Sequence, residues 1–354
     1  MNDLDYSKIL QDQILEAYNE RQPIRISGYQ SKAFFYRPIH APVVDVTAHR
    51  GILNYEPTEL IITARAGTPL SEIDAALAEH HQMLAFEPPY FADNASLGGT
   101  IACGLSGPRR PWSGSARDFV LGTRIINGKG EILSFGGEVM KNVAGYDVSR
   151  LMTGAMGTLG LLLDISLKVL PRPQREITLS RELDAKQALQ QMLQLSRQSL
   201  PISALCHDGE KMYLRLCGAE KSVLAAKKQL GGIEVDDSAT LWHGIREHRH
   251  RFFHSEQPLW RLSLPAATPI QALPGKQFID WGGAQRWLYT ELDAEALRAK
   301  VSEYQGHATL FRHGDRNSEI FHPLLGKLKQ LQMELKLAMD PHCILNPTML
   351  YSDF

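Results

Sequence analysis

The sequence is short of several features that would settle its class at once. Its 354 residues hold four cysteines, Cys103, Cys206, Cys217 and Cys343, and no two of them form a C-x-x-C pair. Such spacing supplies neither a disulfide framework nor the thiolate set of an iron–sulfur cluster. Neither sign of charge is in excess: 38 Lys and Arg against 39 Asp and Glu leave a formal net charge of −1. Nothing in that balance favours nucleic acid or an anionic membrane surface. Long hydrophobic runs are missing too. The longest apolar stretch, LGLLLDISLKVL, is broken by Asp164 and Lys168 and is too short to span a bilayer. The opening residues, MNDLDYSKILQDQ, are too polar for a signal peptide. The expectation is a cytoplasmic protein that meets the inner membrane only through partners.

Two common phosphate motifs are also absent. No G-x-G-x-x-G follows a strand, and Gly154, Gly157 and Gly160 spell G-x-x-G-x-x-G ahead of an apolar strand rather than a helix. Gly128-Lys129-Gly130 lacks the Ser or Thr of a P-loop, and Asn127-Gly128 reads as a hairpin turn.

What is present is glycine, concentrated in residues 95–160: ASLGGTIACGLSGPRR, then SGSARDFVLG, then VMKNVAGYDVSRLMTGAMGTLG. Gly98, Gly99, Gly104 and Gly107 have no Cβ, so their backbone can turn tightly and approach a ligand closely. Successive amides in such turns form concave nests that accept phosphate oxygens. Several such loops in so short a span point to a nucleotide pyrophosphate.

Around this stretch the periodicities predict an α+β chain. Leu4, Ile9, Leu10, Ile14 and Leu15 mark an amphipathic helix, and IRIS, VVDVT and ILNY read as short strands. LIITARAG is a strand, after which Thr68 caps a helix with Pro69 at its first position. Leu70, Ile73 and Leu77 form that helix's buried face, and His80 and His81 lie in its solvated last turn. Leu161, Leu163, Ile165, Leu167 and Val169 alternate along one strand, and Pro171-Arg172-Pro173 marks a linker. Beyond it, strand, helix, hairpin, helix and strand follow in the rhythm of a small domain with an antiparallel sheet. His243, His248, His250 and His254 read as a basic, solvated helix face, because no carboxylate or cysteine completes a metal set. Arg109 and Arg110 are open to two readings, an anion contact or an ordinary surface pair.

The residues SLGGTIACGLSGPRR, SARDFVLG, MKNVAGYDVSRL and GAMGTLG resemble the FAD-binding domain of the vanillyl-alcohol-oxidase-like (PCMH-type) flavoproteins. More narrowly they resemble the FAD-binding E subunits of bacterial glycolate oxidase. The resemblance covers nearly the whole chain and is strongest over residues 51–173. It implies FAD contacts in a first phosphate loop at Gly28, Ser31 and Lys32. A second loop is entered through Pro89 and contributes Ser96, Leu97, Gly98, Gly99, Thr100 and Gly104. Further implied contacts are Asp118, then Val143, Ala144, Gly145 and Tyr146, then Gly157, Thr158, Leu159 and Gly160. Related chains that attach FAD covalently use a histidine in the first loop. None is present, so FAD is expected to bind without a covalent bond.

The segment His313-Gly314-Asp315-Arg316-Asn317, with His322 after it, resembles the H-x-G-D-G-N-x-H-type segment of 2-hydroxy-acid flavoenzymes. Arg316 stands in place of a glycine and the second histidine falls late. His313 is the candidate base, and Arg109, Arg261 and Arg312 are candidates for holding a substrate carboxylate. No metal is expected. The tail MDPHCILNPTMLY resembles the segment that returns to the flavin domain.

The expected architecture is a two-part PCMH-type FAD-binding domain over 1–173, an α+β cap domain over 174–335, and a returning tail over 336–354. The resemblance implies a subunit that works with a catalytic flavoprotein and an iron–sulfur subunit to oxidise glycolate, a small 2-hydroxy acid, to glyoxylate. Two alternatives stand beside it: a non-catalytic FAD-binding scaffold, and a self-sufficient 2-hydroxy-acid dehydrogenase.

Overall fold

The computed structural model describes residues 4–137, 147–270 and 273–353. Two sheets carry most of the chain, and the boundary between them falls near Pro171-Arg172-Pro173. The first has five antiparallel strands in the spatial order Ile52–Glu56, Ile61–Arg65, Leu161–Lys168, Val120–Ile126, Ile132–Gly136. Beside it, Arg25–Ser27 pairs in parallel with Val43–Asp45. The second sheet has eight antiparallel strands, all between residues 175 and 312, with Arg175–Glu182, Lys211–Gly218, Ile202–His207 and Lys276–Asp280 at its centre.

Helices bury one apolar stripe each against these sheets. In the helix Ser7–Glu20 the stripe is Leu10, Ile14 and Ala17, which pack on Ile24, Val44 and Leu161. Ile9, expected on that face, is 53% exposed. In the helix Leu70–Glu79 the buried positions are Leu70, Ile73 and Leu77, as their spacing predicts. Its cap differs from expectation. Thr68 does not cap the helix, because its hydroxyl accepts the Gly51 amide and donates to the Gly51 carbonyl. The central strand Leu161–Lys168 also departs from simple alternation. Its register against Val120–Ile126 shifts at Arg124/Ile125, so Leu163 is the extra residue of a bulge. Leu161 and Leu163 therefore join the N-terminal helix, while Ile165, Leu167 and Val169 join the core around Leu70–Glu79.

One apolar cluster joins the two halves: Phe35, Leu105 and Met156 from the first meet Trp242, Phe253, Trp287 and Phe311 from the second. The helix Gly326–Met339 then carries the chain back, with Leu335 and Met339 packed on the first core. Among the described residues no helix is long and apolar enough to cross a membrane.

Candidate cofactor site

The residues after strand Arg25–Ser27 build one wall of a deep cleft. Gln30 takes a left-handed backbone (φ 56°), and among the described residues the amides of residues 28–32 have no hydrogen-bond partner. A left-handed residue within a run of bare amides is the geometry of an anion-binding nest. Lys32 stands in the same loop, 4% exposed, with Nζ donating, among the described residues, only to Ser31 Oγ at 3.3 Å. Burial pulls its pKa below the usual lysine range, with Cys103 and Glu247 opposing. A buried ammonium left with one hydroxyl partner is costly, and an anion in the cleft would remove that cost.

The opposite wall is the short helix Leu97–Cys103, capped by Ser96, whose Oγ accepts the Gly99 amide at 3.2 Å. The Leu97 and Gly98 amides are already taken by the carbonyls of Thr68 and Ala66. Gly98 therefore serves close packing, since a Cβ there would lie 2.7 Å from the Ala66 Cβ. A Cβ on Gly28 would strike Ser96 Oγ at the same distance, so the two loops touch only because residue 28 is glycine. Glycine is densest in the second loop, while the continuous run of bare amides among the described residues, 28–32, lies in the first.

Met156, Gly157, Gly160 and Leu162 close a third side, and Asn346 and Met349 from the tail a fourth. Asn346 Oδ1 accepts the Ile26 amide and its Nδ2 donates to the Met156 carbonyl, both at 2.7 Å. This side chain ties the first phosphate loop's strand to the glycine turn. Gly157 must be glycine there: its φ is 73° and a Cβ would lie 2.6 Å from Asn346 Nδ2. Tyr36 and Cys103 also line the cleft. Burial pushes the Cys103 thiol up to about 11, Lys32 opposing, so it is a neutral wall rather than a nucleophile. The cleft spans about 730 Å³ when its open mouth is counted.

The structure thus brings Gly28, Ser31, Lys32, Ser96, Gly98, Gly99, Gly157 and Gly160 to one cleft. Other expected contacts lie elsewhere. Leu97 and Leu159 are core residues, and Thr100 is 1% exposed. Gly104 ends its helix with φ 63° against Gly154. Asp118 accepts the Ser115 amide and hydroxyl as a capping box, and Thr158 donates to the Ala155 carbonyl. Pro89 lines a second cavity at the seam of the two halves, together with Arg261. Val143, Ala144, Gly145 and Tyr146 fall outside the described residues.

Arg109 is not available as a substrate clamp. Its Nε lies 3.2 Å from Glu87, its Nη2 2.8 Å from Glu176, and its Nη1 donates to Cys217 Sγ at 2.9 Å. Arg215 holds the same Glu87 at 2.9 Å. Burial alone would raise the Glu87 pKa, but the two arginines outweigh it and hold the carboxyl below its usual range. This knot pins the two halves together. Arg312 stacks on Phe34, its guanidinium carbon 4.0 Å from the ring centroid.

His313 lines neither cavity. It sits past strand His307–Arg312 with φ 59°, and its Nδ1 lies 3.5 Å from the exposed Glu256. Arg316 closes the turn by donating to the carbonyls of His313 and Leu310, and His322 Nδ1 accepts the Ala308 amide. Among the described residues no group of three or more His, Cys, Asp and Glu could hold a metal. The other histidine cluster also departs from expectation. The helix Ser238–Arg246 holds His243 and ends before the other three, and His248 (φ 55°) stacks flat on Phe253 at 3.9 Å. Burial, then Arg312 and Arg261, hold His248 neutral. His250 caps the turn Arg251–Phe253; only His243 and His254 are solvated.

Comparisons with known proteins bear on the family, the fold and the cofactor. The family profile of an FAD binding domain matches residues 8–136. Of the solved structures, alkyldihydroxyacetonephosphate synthase superposes with a TM-score of 0.66 at 14% identity, over 97% of this chain and 74% of that one. Domain, fold and cleft define a PCMH-type flavoprotein with FAD as its cofactor. Glycolate oxidase subunit GlcE of Escherichia coli (strain K12) is 48% identical over 353 residues, 100% of this chain and 99% of that protein. The chain belongs to this family of glycolate oxidase E subunits within the FAD-linked oxidoreductases. More distant relatives match over shorter stretches. Glycolate oxidase subunit GlcD of Bacillus subtilis (strain 168) is 33% identical over 36% of this chain and 27% of its own. D-lactate dehydrogenase of Anaerostipes hadrus is 31% identical over 39% of this chain and 28% of its own.

Proposed function

We propose that this chain is the FAD-carrying subunit of a complex that oxidises glycolate to glyoxylate. The electrons leave through an iron–sulfur subunit, with a catalytic flavoprotein as the other partner. The observation that carries the FAD assignment to particular residues is Lys32, a buried ammonium among bare amides. In this reading Lys32 and the amides of residues 28–32 hold the pyrophosphate, with Ser31 and Ser96 as hydroxyl partners. When bound, FAD supplies a two-electron acceptor for the carbon bearing the substrate hydroxyl. The chain's own part is to orient that group between Tyr36, Cys103 and Met349 and to keep water out. The four cysteines are all free thiols and far apart in sequence, so the iron–sulfur relay is assigned to another chain.

The cofactor is held without a covalent bond, since residues 26–32 contain no histidine. Acid precipitation should leave the flavin in the supernatant; flavin in the pellet would overturn this. A second reading, a subunit that holds FAD and positions a catalytic partner, is favoured by the closed His313 turn. The deciding experiment is anaerobic glycolate titration of the purified chain, alone and with its partners, following flavin bleaching. Bleaching of the isolated chain assigns the chemistry here; bleaching only with a flavoprotein partner assigns it there.

A further inference from the structure

The helix Gly326–Met339 carries one apolar stripe, and only half of it is covered. Leu328, Leu331, Leu335 and Met339 recur at spacings of three and four, so they share one face. Leu335 and Met339 pack on the first core. That half is fixed by Lys336, whose ammonium donates to Asp340 and to the carbonyls of Thr158 and Leu345. The first half is bare. Leu328 is 57% exposed, Leu331 51%, and Leu325 just ahead of the helix 79%. Among the described residues its polar tie to the rest of the chain is the half-exposed pair Lys329–Asp353.

Beside this bare half runs a groove of about 780 Å³, its open mouth counted. Leu324 and Leu328 line it together with Leu151, Leu159, Phe321 and Leu350. Its charged lining has one sign: Arg117 and Arg150 are present, and among the described residues no carboxylate is. Arg117 is exposed and forms no ion pair among the described residues. Arg150 Nε lies 3.3 Å from the exposed Asp147, a surface pair that contributes little and opens readily.

An apolar groove rimmed by cations complements an apolar strip flanked by carboxylates. It does not complement itself, since the same face on two copies would set arginine against arginine. Leucines lining a groove are reached by inserted side chains rather than by the flat surface of a bilayer. The groove also adjoins the cofactor cleft. Gly154, Ala155 and Leu159 line the groove, while Met156, Gly157 and Gly160 of the same turn line the cleft. That turn is the common wall of the two.

We propose that this groove docks a partner subunit through an amphipathic helix, its apolar ridge against Leu328 and Leu151 and its flanking carboxylates on Arg117 and Arg150. The bare half of the helix is roughly 12 Å long, enough for about two turns of a partner helix. That the occupant is a subunit of the oxidising complex rests on the function proposed above; the chemistry of the groove does not. A partner seated there is one turn of chain from the cofactor cleft.

The test is assembly of the flavin-loaded chain with its purified flavoprotein and iron–sulfur partners, followed by sedimentation velocity. Leu328→Asp should weaken assembly about tenfold to a hundredfold, the effect of one leucine left unburied, with flavin content unchanged. Arg117→Glu should weaken it less, and its effect should fade at high salt. Wild type that assembles while both variants assemble as tightly overturns the proposal and leaves the subunit reading standing. Wild type that assembles with neither partner overturns the subunit reading, and the proposal with it. Self-association of the chain alone, lost in Leu328→Asp, would give the groove to a second copy. Cosedimentation with phosphatidylglycerol vesicles, lost in Leu328→Asp, would give it to a membrane. Either result overturns the proposal. Should Leu328→Asp fail to fold, Leu328→Gln and Arg117→Glu decide: assembly as tight as wild type in both overturns it.

Discussion

Two lysines are buried among the described residues, and the fold treats them differently. Lys336 is 1% exposed, and its ammonium reaches Asp340 Oδ2 and the Thr158 carbonyl at 2.7 Å and the Leu345 carbonyl at 2.9 Å. All three of its hydrogens have acceptors. Lys32 is nearly as buried and has one hydroxyl. Among the arginines the same division separates Arg109, knotted into Glu87 and Glu176, from Arg261, bonded among the described residues only to Gln285. A completed cation holds the fold together. The incomplete Lys32 is the one to which the reading proposed above gives the cofactor's pyrophosphate.

The sharpest way to break this comparison is to remove each cation in turn. Lys336→Met should cost about 3–5 kcal/mol of stability in urea unfolding, because it strands the buried Asp340 carboxylate. A loss below about 1 kcal/mol would mean that Lys336 is not the structural partner claimed. Lys32→Met should leave the flavin-free chain as stable as wild type, while weakening FAD binding about tenfold to a hundredfold. Equal FAD affinity in a flavin titration would move the pyrophosphate away from this loop. Next comes the tie made by Asn346. Asn346→Ala orphans the Ile26 amide and the Met156 carbonyl and should cost about 2 kcal/mol, together with flavin retention on gel filtration.

The gentlest effect is a slope. Asp280 is raised in the fold to about 7, so the native state holds its proton more tightly than the unfolded chain. Its contribution to stability is present below about pH 4, the unfolded value, and is lost as pH rises through about 7. Glu87, Arg215, Arg261 and Cys206 are the charged or titratable groups acting on it. Asp280→Asn should flatten the decline between those limits in pH-dependent urea midpoints; an unchanged slope would assign it to another group.

Much of this was legible in the sequence, and what was missed has a common cause. The α+β class followed from local periodicity, and the cleft's glycines from their density. Leu70, Ile73 and Leu77 are buried as their spacing required. Arg109 was ambiguous because Glu87, Glu176 and Cys217 reach it from three separate segments. His248 was misplaced because the helix stops at Arg246 and a left-handed residue turns the ring inward. The first loop looked weak because its single glycine was taken as a poor sign of a nest, whereas a left-handed Gln30 gives it a nest-like backbone without a second glycine. Asn346 was recognised as part of a returning tail, but no local pattern shows which side chain a tail will press into a cleft.

The bond between Asn346 and Ile26 spans 320 positions and has a consequence for how the protein is made. At the ordinary pace of translation, the interval between those two residues leaving the ribosome is on the order of half a minute. For that time the nascent chain carries the first phosphate loop without the strut that fixes it. The glycine turn at Met156 waits for the same side chain. On the reading proposed above, flavin capture is then a late event in biogenesis, and the half-finished cleft, lined by Tyr36, Cys103 and Met156, is the surface a chaperone would shield.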